Sequence, residues 1–275
     1  HLKYLTRHYK IISLSDAVRY FKEGNLPNRS VVLTIDDGYQ DFFDVAFPVL
    51  KKFSVPATLY VVTGFLDEKC WIWTDKARYL LTATKSERLS ATIGTRTFDE
   101  KLGDRNSRLE LAGKINSELK KLPDLEKDLV LTELAKSLYV QLDDMPHSEF
   151  GPISWDQAKE MSSAGIEIGS HTVSHPILTN VDGDTLSDEL ATSRTILQDH
   201  LQTDKLHFCY PNGNVSRRER DAAEKAGYAS AVTTEIRICE SSDDRFLFPR
   251  IDAEPQIERL IQSTSGFDAF KAKYR

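Results

Sequence analysis

The 275-residue chain has room for one large α/β domain or two small ones, and with 40% hydrophobic and 28% charged residues it can bury a core without disulfides. Its net charge of -6 argues against a nucleic-acid partner, because phosphate binding needs a basic surface. Three scattered cysteines, Cys70, Cys209 and Cys239, make neither a disulfide framework nor a zinc-finger pair, and no apolar run nears the roughly 20 residues of a membrane span.

The chain opens at His1 with no methionine and no signal-like segment, as a processed form or a fragment would, so the sequence leaves the compartment open. Ser15 to Glu23 reads as a short helix capped by Ser15. The β-branched run Val31 to Ile35 reads as a buried parallel strand that stops abruptly at Asp36-Asp37-Gly38. Phe42 to Phe53 reads as a helix despite Pro48, and Pro56 to Val62 as the next strand, ended by Thr63-Gly64; together these make a βαβ unit.

From about Cys70 to Ser148 the pattern changes. Lys, Glu, Leu and Ser dominate, with helical periodicity over Asn106 to Lys121 and Leu125 to Tyr139 and a strand-like stretch only at Ala91 to Phe98. Residues 70–150 are therefore expected to form a mainly helical insertion within one domain spanning 1–275, on the same face as Asp36, where insertions of this length often shape a site. The α/β rhythm resumes with a helix capped by Ser154, a strand Ile166 to Ser170, a helix Thr185 to Leu201 and a strand Leu206 to Tyr210. A helix Arg217 to Ala226 and a strand Ala229 to Thr233 follow. Repeated alternation predicts a parallel sheet or a closed α/β barrel, whose sites assemble at the carboxyl ends of the strands.

The polar residues fall at those ends. His171 and His175, four apart, can converge on a helix face or in a tight loop, and with a carboxylate they leave coordination positions open. Zinc suits imidazole plus carboxylate, with cobalt or nickel as substitutes. Such a pair alone also fits core or surface histidines. Asp36-Asp37-Gly38 also suits a strand-ending turn, yet two adjacent carboxylates repel unless a cation or proton relieves them. If Asp37 binds a metal, Asp36 can serve beside it as general base toward a water whose pKa the metal has lowered. Tyr210-Pro211-Asn212-Gly213 reads either as a plain turn or as a groove wall offering a backbone N–H to an oxyanion.

Taken together, Leu33 to Gly38, Gly169 to Pro176 and Tyr210 to Gly213 resemble the three motifs of the polysaccharide deacetylase family, the carbohydrate esterases with a NodB-type domain, and most closely its exopolysaccharide-linked members. The likeness spans roughly 30–66 and 152–252. It implies a distorted (β/α)7-type barrel and a hydrolase removing N-acetyl groups from a poly- or oligosaccharide. The implied roles are Asp36 as catalytic base, Asp37, His171 and His175 as ligands of a divalent metal, usually zinc, and the backbone N–H near Asn212 as an oxyanion donor. The implied partner is an acetylated glycan, the implied location a bacterial envelope or secreted one with a cytoplasmic one also compatible, and the oligomeric state is left open.

Two departures stand out. Cys209 occupies the place where many members carry an arginine that steadies the base, and Arg250 is the expected replacement from another strand. Many members also use a histidine near the end of the domain as general acid, and this chain has none beyond His207. The acid is left to metal-bound water, to protonated Asp36 or to a group of the insertion, of which His147 is the only histidine. Tyr39, Trp71, Trp73, Trp155, Tyr210, Pro211 and Gly213 are expected to line the glycan groove. The alternative readings are an O-acetyl esterase or small-amide hydrolase on the same site, and a glycan-binding homologue impaired in turnover.

Overall fold

The alternation of apolar strands with helices builds a curled parallel sheet clad in helices, as a computed structural model of the chain shows for residues 1–266. Residues 267–275, the end of the span expected to form one unit, lie outside the described residues.

The chain enters through α1 (Leu2–His8), β1 (Lys10–Ile11) and α2 (Leu14–Glu23). Ser13 caps α2, accepting from the Asp16 N–H at 3.1 Å; the Ser15 expected in that role instead places its hydroxyl 3.1 Å from His207 Nε2. The run expected as one strand over Val31 to Ile35 divides in two. β2 (Ser30–Val31) pairs with β1, and β3 (Thr34–Ile35) joins the main sheet. The expected helix from Phe42 starts as a π-helical turn, Phe42–Ala46, and continues as α3 (Phe47–Phe53). Pro48 falls in the first turn of α3, where its missing N–H costs no helical bond. Then come β4 (Ala57–Val61) and the short α4 (Thr63–Leu66).

The next elements are α5 (Trp73–Ala83), β5 (Arg88–Ile93), β6 (Arg96–Lys101), α6 (Arg105–Leu119) and α7 (Asp124–Ser137). The single strand expected at Ala91 to Phe98 is the tip of an antiparallel β5–β6 hairpin, with Ile93 opposite Arg96 and Gly94 turning at φ 58°. Leu80, Ile93, Phe98, Ile115 and Leu131 give this stretch a hydrophobic core of its own, which Ile177 joins from outside the stretch.

The α/β alternation resumes with α8 (Trp155–Ser163), β7 (Ile166–Ser170), α9 (Gly183–Leu201), β8 (Phe208–Cys209), α10 (Arg217–Lys225), β9 (Ala231–Ile236), β10 (Phe248–Arg250) and α11 (Ile257–Thr264). Ser154 caps α8 as the sequence predicts, in a reciprocal box with Gln157. The main sheet is all parallel in the order β3-β4-β7-β8-β9-β10. It holds six strands among the described residues, where the resemblance implies about seven β/α units.

Side-chain alternation gives the sheet two apolar faces. Leu59, Val61, Ile166, Ile168 and Phe208 point to the helices and form the main core. The intervening Tyr60, Cys209, Val232 and Phe248 meet Leu14 and Val18 of α2, which plugs the inner side. Glu167, also on the inner side, accepts from the Leu14 N–H at 2.9 Å, the Ser15 N–H at 3.1 Å and the Thr58 hydroxyl at 3.1 Å, so a carboxylate meets the positive end of α2. Gly169 is required here because a Cβ would stand 2.6 Å from the Tyr60 ring. α2 thus closes one end of the sheet's interior, and the carboxyl ends of the strands are left to hold polar groups.

Candidate active site

β3 ends in a tight turn, with Asp37 at φ 78° and Gly38 at φ 89°. The Val62 N–H donates to the Asp37 carbonyl at 3.3 Å and the Ile153 N–H to the Gly38 carbonyl at 2.9 Å, which pins the turn from two sides. The two carboxylates therefore face different partners. Asp36 meets Arg250, whose NH1 and NH2 donate to Oδ1 and Oδ2 at 2.7 and 2.8 Å, a bidentate fork. The guanidinium also donates to the Thr233 carbonyl at 2.8 Å and lies 3.3 Å from the Cys209 sulfur. Arg250, on β10, thus contacts Asp36 and Cys209 together.

Asp37 faces the histidines, which lie in the loop after β7. His171 Nδ1 sits 2.7 Å from the Cys209 carbonyl, which can only accept, so Nδ1 carries the proton and Nε2 presents a lone pair toward Asp37. Thr172 and His175 both hold positive φ, 73° and 61°, a strained conformation for residues with side chains. The surroundings enforce it. Glu189 on α9 accepts from the Val173 N–H at 2.7 Å, the Ser174 N–H at 3.1 Å and the Ser174 hydroxyl at 2.5 Å. The Gly64 N–H donates to the Val173 carbonyl at 2.9 Å, and a Cβ on Gly64 would stand 2.6 Å from that oxygen. The Trp73 indole donates to the His175 carbonyl at 3.2 Å.

The resulting donor set fits a divalent cation. His171 Nε2 and His175 Nε2 lie 3.5 and 3.6 Å from Asp37 Oδ1. That is long for a hydrogen bond, but close to the about 3.3 Å that separates ligand atoms held tetrahedrally about 2 Å from a common ion. Burial lowers both imidazoles, His175 to about 4, so both are neutral, as ligands must be. His175 Nδ1 is buried with no hydrogen-bond partner. Burial pushes Asp37 up to about 6, with His171 opposing and the charges of Asp36 and Asp75 adding to the rise. A carboxylate so disfavoured gains from a cation. Burial likewise pushes Asp36 up, but the Arg250 hydrogen bonds and the Arg250 charge hold it below the usual carboxylate range. The turn therefore carries two unlike carboxylates: Asp36 ionised beside its arginine, and Asp37 disfavoured as an anion, which a cation would relieve.

The other expected residues divide. Asn212 sits inside the Pro211–Gly213 turn after β8 at φ 58°, its carbonyl accepting from the Thr234 hydroxyl at 3.3 Å. Gly213 packs against Thr234, which a Cβ would overlap. Pro211 is buried in the same turn. Tyr39 packs edge-on against Phe65 and donates its hydroxyl to Asp75 on α5. Tyr210, Trp71 and Trp73 are buried and have a packing role instead of facing a groove: Tyr210 lies edge-on to Phe208 in the main core, Trp73 is in the insertion core, and Trp71 lies against Tyr79 and Phe150. Trp155 is half-buried, stacked on His200 at 3.9 Å. It lines a cleft of about 390 Å³ with Gln40, Glu68 and Pro152. His207 bonds Ser15 and Ser230 beneath α2, and His147 stacks on Tyr79.

Sequence reasoning missed Glu189, Asp75 and the indole donor of Trp73. Glu189 reads as one more charge on a helix, and Asp75 as a first-turn acid of α5; only the folded chain shows that both are buried beside the site.

The polysaccharide deacetylase family profile matches residues 23–231. A poly-beta-1,6-N-acetyl-D-glucosamine N-deacetylase of Staphylococcus aureus is 36% identical over 69 residues, 25% of this chain and 24% of that enzyme, so the chain aligns with about a quarter of that relative's length. Two solved structures share the fold: Streptococcus pyogenes deacetylase PplD in complex with acetate, at TM-score 0.61 and 22% identity over 94% of this chain and 81% of the other, and IcaB from Ammonifex degensii, at 0.59 and 17% over 96% and 84%. With the family profile spanning most of the chain, and its motif residues gathered at the carboxyl ends of one curled parallel sheet, this protein belongs to the polysaccharide deacetylase family.

Proposed function

We propose that the protein hydrolyses the N-acetyl amide of N-acetylhexosamine residues in a poly- or oligosaccharide, releasing acetate. The observation that carries this reading is the Arg250–Asp36 fork set beside the Asp37, His171 and His175 donor set. The family is metal-dependent in general, and zinc fits two neutral imidazoles and a carboxylate best, with cobalt or nickel as substitutes. Bound there, such an ion supplies Lewis acidity, polarising the acetyl carbonyl and making the attacking water more acidic.

The chain's own residues do the rest. Asp36, kept ionised and oriented by Arg250, takes a proton as water adds to the acetyl carbon. A backbone N–H of the Tyr210–Asn214 turn donates to the oxyanion of the tetrahedral centre. The C–N bond then breaks, the proton on Asp36 passes to the leaving nitrogen, and acetate and a free amine result. Asp36 serves as the acid because neither histidine considered for that task makes a contact with the site: His207 is bound beneath α2, and His147 is stacked on Tyr79. The glycan lies in the cleft beside Gln40 and Trp155, next to the Asp37 turn, and residues 70–150, an insertion in a single catalytic domain, extend its wall through Met145 and Pro146, which line the adjoining hollow with Gln40 and Glu68.

The test is acetate release from N-acetylglucosamine oligomers, β-1,4- and β-1,6-linked, with O-acetylated oligosaccharides in parallel. Chelator should abolish release and zinc restore it. Release from the O-acetyl substrates alone would make the protein an esterase. Tight glycan binding without release in the presence of zinc would make it an impaired homologue.

A further inference from the structure

α7 carries its side chains against the pattern of a surface helix. Leu125 and Leu129, one turn apart, are 84% and 67% exposed, while Lys127 between them is 1% exposed. Burying an ammonium is costly unless partners replace its water. Two do so here. Asp124, one turn back, forms an ion pair with it, and the ammonium lies 4.9 Å from the centroid of the Trp73 ring. That same indole donates its N–H to the His175 carbonyl at 3.2 Å. His175 stands at φ 61°, which a residue with a side chain keeps only where its surroundings hold it. One line of contacts therefore runs from Asp124 at the rim of the insertion through Lys127 and Trp73 to a candidate metal ligand.

We propose that Lys127 is a positioning residue for the metal centre: it fixes the Trp73 indole, and through it the His175 peptide, so that the His175 imidazole stands correctly against Asp37 and His171. This rests on reading those three residues as a metal site. A cation over the ring face restricts the indole plane and polarises its N–H toward the carbonyl it binds. Removing the charge frees the indole, and the strained peptide can relax toward negative φ, which turns the imidazole away. The insertion then has a second task besides walling the groove, because its docking sets the metal affinity of the barrel.

The test uses the whole chain and three variants. Lys127→Met keeps the length of the side chain and removes the charge; Trp73→Phe keeps a ring and removes the donor; the third combines both. The zinc dissociation constant is measured by competition with a chromophoric chelator, and the melting temperature of the metal-free protein in parallel. Each single variant should bind zinc roughly 10- to 100-fold more weakly, the range seen when outer partners of metal ligands are lost. The double variant should be no weaker than Trp73→Phe, since both act through one contact. Wild-type zinc affinity in Lys127→Met, whatever its melting temperature, would overturn the proposal and leave Lys127 a packing residue. If Lys127→Met does not fold, Trp73→Phe decides alone, and wild-type affinity there overturns it equally. Wild-type protein that takes no zinc sinks the metal-site reading and this proposal with it, whereas zinc bound equally by wild type and variants sinks only the proposal.

Discussion

Arg250 grips Asp36 from the opposite edge of the sheet. β10 and β3 are the two edge strands and do not pair with each other, yet the guanidinium donates to both carboxylate oxygens at 2.7 and 2.8 Å while anchored on the Thr233 carbonyl of β9. The contact bridges the gap between the edges at Asp36, the proposed base, so one side chain both links the edges and sets the charge of that carboxylate.

Replacing that fork should separate position from charge. Arg250→Lys keeps the cation but presents a point in place of a planar pair of donors. A fall in kcat of roughly 10- to 100-fold is expected, with metal content unchanged, because a base displaced by about 1 Å loses about that much. Arg250→Ala removes what holds Asp36 below its usual range. The acidic limb of kcat/KM should then move to higher pH. A limb that stays in place in Arg250→Ala would show that Asp36 is not the group titrating there.

The adjacent aspartates should fail in different ways. Asp36→Asn keeps the donor set and removes the base, so turnover should drop by roughly 100- to 10,000-fold with zinc still bound. Asp37→Asn should lose zinc first and activity as a consequence, with partial recovery at high zinc concentration. Zinc titration and acetate release on both variants decide it. Equal metal affinity in the two would mean that the roles are not divided as the geometry divides them.

Much of this site could be read from the sequence because its strands are apolar runs stopped by polar residues. Val31 to Ile35 ending at Asp36-Asp37, and Ile166 to Ser170 ending at His171, mark strand ends without any knowledge of packing, and Ser154 with Gln157 marks a helix start by local chemistry. Arg250 was legible only as the replacement that Cys209 called for. What stayed hidden depends on tertiary contact. Ser13 and Ser15 are equally good caps on paper, and the choice follows from His207 needing Ser15. The break between β2 and β3 leaves no turn residue to mark it, since Val32 and Leu33 at the break suit a strand as well as their neighbours do. Trp71 and Trp73 read as glycan platforms because an aromatic side chain suits a groove and a core alike; both are buried, Trp73 in the second core of the insertion and Trp71 against Tyr79 and Phe150.

Glu189 should matter to the metal without touching it. Its carboxylate accepts three donors of the loop that carries His175, all between 2.5 and 3.1 Å. Glu189→Gln has nearly the same shape: its amide oxygen can keep the Val173 and Ser174 N–H donors while its amide N–H meets the Ser174 hydroxyl, which must turn to accept. A loss of about 1 kcal/mol in stability is expected as charge-assisted hydrogen bonds become neutral ones. Zinc affinity should also fall, since Thr172 and His175 need support to keep positive φ. Unfolding in urea and zinc competition measure the two effects separately. A variant that loses stability and keeps wild-type zinc affinity would confine Glu189 to the fold.

The other end of the sheet's interior should make stability depend on pH. His207 is buried between the Ser230 hydroxyl, 2.8 Å from Nδ1, and the Ser15 hydroxyl, 3.1 Å from Nε2. Two hydroxyls can satisfy a neutral ring. Burial lowers its pKa to about 4, with the nearby Glu167 charge opposing and Lys22 adding to the fall. In the unfolded chain an ordinary histidine titrates near about 6.5, so between these values the unfolded state binds the proton and the folded state does not. The contribution to stability is therefore complete above about pH 6.5 and is lost as pH falls toward about 4, on the order of 3 kcal/mol in all. His207→Gln can hold both serines and has no proton to gain. Urea unfolding of both proteins in chelator, from about pH 7.5 down to about pH 4.5, should show wild type losing more stability than the variant, by up to about 1.4 kcal/mol per pH unit for one proton. Chelator matters because His171 and His175 are also held neutral by burial and would titrate in the same sense once no metal competes for them. Parallel curves for the two proteins would assign the acid sensitivity to those ligands and leave His207 as a hydrogen-bonded strut under α2.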